Sequence, residues 1–84
     1  LGRGTGIPEG EEGLEQFDTL TPRESEILEL IARGLSNEQI ADTLVIAPKT
    51  VRNHVSRVYS KLDVDSRAQA IITARKAGLG LNAD

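Results

Sequence analysis

The sequence predicts an all-α domain, a compact four-helix bundle-like unit containing a helix-turn-helix. Three observations carry that prediction. Ser/Thr-x-x-Glu/Gln tetrads at Thr21, Ser36 and Ser66 each precede an apolar run, as at helix N-termini. Pro22 and Pro48 fall where helices would begin, and Gly34 and Gly78 where helices would end. Between these signals, Ile, Leu and Val recur at spacings of three and four.

Thr21-Pro22-Arg23-Glu24 starts a first helix over about 22–33, with Ile27, Leu28 and Ile31 on its apolar side and Leu30 and Ala32 adding area. Ser36-Asn37-Glu38-Gln39 starts a second, whose short face is Ile40, Ala41 and Leu44. So short a helix is marginal alone and must pack on its neighbours. Residues 45–47 make a tight connector. A third helix, about 48–62, follows with Val51, Val55, Val58 and Leu62 on one narrow stripe beside Tyr59. At about 100° per residue, Lys49, Asn53, Ser56 and Ser60 point the other way, bordered by Arg52 on one edge and Thr50, Arg57 and Lys61 on the other. Ser66-Arg67-Ala68-Gln69 opens a fourth helix to about residue 77. There Ala68, Ile72 and Leu79 are expected in the core, and Ala70, Ala74 and Ala77, flanked by Ile71, on a separate stripe. The expected core is Ile27, Leu28, Ile31, Leu35, Ile40, Leu44, Val51, Val55, Val58 and Leu62.

Composition sets the limits. Eighty-four residues accommodate one small domain, and with 38% hydrophobic residues, one Phe, one Tyr and no Trp its core is aliphatic. Without cysteine there is no disulfide or thiolate metal site, and a single histidine, His54, rules out histidine zinc clusters. Neither metal nor cofactor nor small-molecule ligand is expected. The apolar runs fall far short of the ~20 residues of a membrane span, and no secretory signal is visible, so a cytoplasmic location is expected. The absence of methionine leads to the expectation that the chain is part of something longer. Residues 1–13 are rich in Gly and Glu without hydrophobic period; a flexible acidic linker is expected over 1–18, a domain over 19–80 and a short tail over 81–84.

The net charge of −3 is unevenly distributed. Residues 1–20 set Arg3 against Glu9, Glu11, Glu12, Glu15 and Asp18, a balance of −4, and the remainder carries +1. Residues 47–62 contain Lys49, Arg52, Arg57 and Lys61 with no acid at all. A helix pair whose second member is basic on its open face is the physical description of a helix-turn-helix that enters DNA. Catalysis is not expected: His54 and Ser56 diverge on a helix, no orienting acid accompanies them, and no carboxylates pair inward for metal ions.

The run LTPRE (20–24), GLSNEQIA (34–41), KTVRNHV (49–55), KL (61–62) and SRAQA (66–70) resembles the LuxR-type DNA-binding domain, the C-terminal output domain of NarL/FixJ-type response regulators and quorum-sensing regulators. The resemblance covers residues 20–79, and its specificity lies in all five pieces keeping order and spacing. It implies a third helix in the major groove of double-stranded promoter DNA and a fourth that forms a homodimer on DNA, with RNA polymerase a further candidate partner. Carried over by position, base-reading residues are Lys49, Arg52, Asn53 and Ser56. Thr50, His54, Arg57 and Lys61 hold the DNA backbone, and Ala70, Ile71, Ala74 and Ala77 form the dimer seam. The chemistry fits: Arg donates twice to guanine O6 and N7, and Asn pairs with adenine N6 and N7. One departure is Ala47, where the family often has a Ser or Thr cap. The alternative is a helix-turn-helix fold used as a protein-interaction module, which Arg52→Ala and Asn53→Ala would leave untouched in binding.

Overall fold

The structure, a computed structural model, describes residues 17–80. The expected tail 81–84 and residues 1–16 of the expected linker lie outside the described residues. Among the described residues four full helices follow one another: α1 (Pro22–Ala32), α2 (Asn37–Leu44), α3 (Pro48–Leu62) and α4 (Arg67–Lys76). Among the described residues there is no strand, and no helix is long and apolar enough to cross a membrane. Phe17 and Asp18, placed by composition in the linker, are helical, and Phe17 packs on the core. A Glu- and Gly-rich average hides the apolar area of one aromatic ring.

Two of the three N-terminal tetrads close reciprocally. Thr21 Oγ1 accepts from the Glu24 N–H at 3.1 Å while the Thr21 N–H donates to Glu24 Oε1 at 2.9 Å. Ser36 and Gln39 do the same at 3.1 and 2.8 Å. The third is only half formed. Ser66 Oγ accepts from the Gln69 N–H at 3.2 Å, but Gln69 Oε1 accepts from the N–H of Asp65, one residue before the cap. At α3 the N-cap is Ala47, and no side chain satisfies the free amides there.

All four helices stop in one way. Gly34, Val45, Asp63 and Gly78 take positive φ. The N–H of the next residue, Leu35, Ile46, Val64 or Leu79, donates back to the carbonyl of Leu30, Ala41, Tyr59 or Ala74 at 3.0–3.1 Å. That residue is apolar each time and packs half-buried against the core, the hydrophobic contact of a Schellman ending. Each chain reversal is thereby nailed to the interior.

α1 lies at the centre, against α3 and α4 along most of its length and lightly against α2. One side gives Ile27 and Ile31 to a cluster with Ile40, Ala41, Val51 and Val55. The other gives Leu28 and Ala32 to a cluster with Val58, Leu62 and Ala74, and Tyr59 touches both. The expected core residues are all buried except Leu35 and Leu44, which are half-buried.

α4 is turned relative to the sequence expectation. Ala70 and Ala74 are fully buried, Ile71 packs on the first cluster and Ala77 is half-buried, whereas Ala68 is exposed and Ile72 is 55% exposed. Ala70 and Ala74 therefore serve the interior and are not a free seam. Close approach explains this. Arg75 Nε donates to the Ala32 carbonyl at 3.1 Å, and the buried Gly80, at φ +74°, donates its N–H to the Glu29 carboxylate at 3.1 Å. A Cβ on Gly80 would lie 2.7 Å from that of Ala32. Alanine, with almost no bulk, lets the two helices come together, and an isoleucine there would hold them apart.

Gly80→Ala is therefore expected to lower stability by about 1–3 kcal/mol through overlap and left-handed strain. Ile72→Ala should change it by less than about 1 kcal/mol, since that side chain is mostly outside. Urea midpoints of the two variants measure both, and equal losses would contradict this orientation of α4.

Candidate nucleic-acid interface

The buried stripe of α3 decides which side of the helix remains free. With Val51, Val55, Val58 and Leu62 turned inward, Lys49, Arg52, Asn53 and Ser56 are all exposed, as are Thr50, Arg57 and Ser60. No other part of the described chain covers them. Among the described residues, Lys49, Arg52 and Arg57 form no ion pair, so their charge faces outward unneutralised. His54 is half-buried, with its Nδ1 enclosed and without a hydrogen-bond partner. No acid occurs on α3, whereas Glu38 and Asp42 are exposed on α2. Of the two helices of the helix-turn-helix pair, only α3 presents a cationic surface.

Lys61 departs from the role expected of it. Its Nζ donates to Glu24 Oε1 at 2.8 Å and to the Thr19 carbonyl at 2.9 Å, joining the end of α3 to the start of α1. Glu24 is 2% exposed. The Lys61 hydrogen bond and the Thr21 amide hold its carboxyl below the ordinary value, burial opposes them, and the charges of Lys61 and Arg57 assist. Lys61 is thus engaged inside the domain, and Arg57 is the cation that edge of α3 leaves outside. Sequence spacing gave Glu24 only its capping role; the partner stands 37 residues away and required the fold.

A second clamp was also absent from the sequence expectations. Arg67, at the first position of α4, donates to Asn37 Oδ1 at 2.9 Å and to the Leu35 carbonyl. It fixes the start of α4 to the start of α2. With the Arg75 and Gly80 contacts to α1, both ends of α4 are held, and with them the orientation of its outer side relative to α3. No group of side chains suited to a metal ion occurs among the described residues.

Residues 18–74 match the family described as bacterial regulatory proteins, luxR family, well over half of the chain. The chain belongs to the luxR family. The luxR-family domain resembles the response regulator protein VraR of Staphylococcus aureus, Staphylococcus saprophyticus and Staphylococcus epidermidis, at 53% identity over 60 residues in each case. The match covers 71% of this chain and 29% of each relative, so the luxR-family domain spans under a third of those proteins. The resemblance and all-α fold expected from the sequence are both present, and a luxR-family helix-turn-helix is a DNA-binding regulatory module.

A carboxyl whose folded pKa is depressed stabilises the fold above its ordinary value and ceases to as pH falls through the depressed one. Stability of the domain should therefore decline below about pH 4.5, the ordinary value for Glu24. Glu24→Gln should flatten that acid limb, and Lys61→Met should cost about 1–3 kcal/mol at neutral pH by leaving the carboxylate short of a partner. Thermal melts across pH 3–7 read this out (on the order of four units of pH bracket the transition); an acid limb unchanged by Glu24→Gln would contradict it.

Proposed function

We propose that this domain binds double-stranded promoter DNA sequence-specifically, with α3 in the major groove, as the output module of a response regulator. The carrying observation is the outward side of α3, where unpaired cations and an amide stand bare on a rod whose other side is locked into the core. An α-helix fits the major groove, and Arg52 and Asn53 have the donor patterns for guanine and adenine edges. Lys49, about one turn before them, and Ser56, about one turn after, complete the base-facing set. Thr50, Arg57 and the outer edge of His54 lie where a phosphate strand would pass. The VraR relatives, named as response regulators, support the regulatory reading of the whole protein.

The same reading includes a homodimer on an inverted repeat, with α4 as the contact. The surface available for it is the outer side of α4, centred on Ile72 with Ala68 one turn before, rather than Ala70 and Ala74. The half-buried Ile71 borders it, whereas Ala77 lies on the side of Ala70 and Ala74.

Selection from a random duplex library, followed by titration of variants, tests the reading. Arg52→Ala and Asn53→Ala should remain folded and lose about 1–3 kcal/mol of discrimination between selected and scrambled duplexes. Arg57→Ala should weaken binding to all duplexes alike and reduce the salt slope by about one. Ile72→Glu should bind a single half-site normally and lose affinity for the paired site. Variants at 52 and 53 that discriminate as well as the parent would favour a protein-interaction module instead.

A further inference from the structure

Of the four residues that end the helices, three suit a positive φ: two are glycine, and Asp63 is of a type that tolerates it. The fourth is Val45, at φ +57° and ψ +51°. A β-branched residue there is a genuine outlier, because both γ-carbons crowd the backbone. The fold asks little of residue 45. Its N–H donates to the Ala41 carbonyl, as does that of Ile46, and a glycine would supply the same bond. Nor does the core use the side chain, which is 87% exposed.

The surroundings extend the pattern. Ile46 turns inward onto the first cluster, while Ala47 and Pro48 are exposed like Val45. Residues 45, 47 and 48 are thus exposed apolar positions in the short stretch of chain that leads from the end of α2 to Lys49. Three unfavourable features meet in these few residues: a left-handed valine, its bare isopropyl group and a helix start with no side-chain cap. A strained residue type where the fold does not need it points toward a binding role.

Continuity with α3 selects the partner. The N-terminal residues of a recognition helix are those that meet base edges. On those edges the apolar group is the C5 methyl of thymine, which an aliphatic side chain can cover. We infer that Val45, flanked by Ala47 and Pro48, is a specificity-determining contact that closes over a thymine methyl beside the bases faced by Lys49. This rests on the major-groove reading and adds to it a preference that hydrogen-bond donors alone would not give.

Uracil in place of thymine removes only that methyl, which makes the test direct. The full chain is titrated against a selected duplex in which each thymine is replaced singly by uracil. Val45→Asn and Val45→Gly, both compatible with left-handed backbone, are run alongside. The parent should weaken about three- to fivefold at one thymine of each half-site, the equivalent of one methyl withdrawn from burial. Both variants should bind the thymine duplex more weakly by a similar factor, show no thymine–uracil difference there, and melt at a higher temperature than the parent. Weaker binding by a more stable protein excludes misfolding as the cause. A parent indifferent to uracil at every position, or variants that keep the thymine preference, would overturn the inference. Sensitivity to Arg52→Ala in that case would leave the groove reading standing; failure to bind any duplex removes both.

Discussion

Burial of the Val51–Val55–Val58–Leu62 stripe against α1 is the constraint from which the remaining arrangement follows. These four side chains serve both core clusters, Val51 and Val55 in one and Val58 and Leu62 in the other. Truncating one such residue costs about 2–5 kcal/mol, a large part of the 5–15 kcal/mol that holds a typical domain together. α3 therefore cannot roll about its axis, and its other side stays in solvent along the whole helix. What the core leaves unused is the polar, cationic side of α3.

The charges on α3 divide into two kinds. Lys61, at its end, is taken up by Glu24 and the Thr19 carbonyl, and so links α3 to the segment that leads into α1. Lys49, Arg52 and Arg57 have no such partner among the described residues and remain available to an external anion. Residue type and helical spacing did not separate these groups, since all four lie on or beside one face. What separates them is the position of α1, which brings a buried carboxylate within hydrogen-bonding distance of Lys61 alone, with Arg57 acting on it only through its charge.

Local signals carried far in this sequence. Thr21–Glu24 and Ser36–Gln39 marked helix starts because a capping box satisfies its amides within four residues. The narrow stripe of α3 was legible because its polar side is unbroken. Where two faces of a helix are both weakly apolar, legibility failed: in α4 the isoleucine looked the better core residue, yet the close approach at Ala32 and Gly80 put the alanines inside. Long-range polar contacts, Glu24 with Lys61 and Arg67 with Asn37, had no signature because each depends on elements brought together by the rest of the fold. The left-handed turn at Val45 was hidden for the opposite reason, its residue type being one that rarely adopts it.

The helix endings bear on how such a domain can change. Connections of three or four residues join the helices, and each contains both the reversal and the apolar residue that pins it. There is no slack. One inserted residue would tear that residue out of the interior or rotate the next helix by roughly a quarter turn, carrying its exposed side elsewhere. Variation compatible with the architecture is thus confined to exchanging surface side chains at constant length, and a new target must be reached by rewriting letters on a frame that does not stretch.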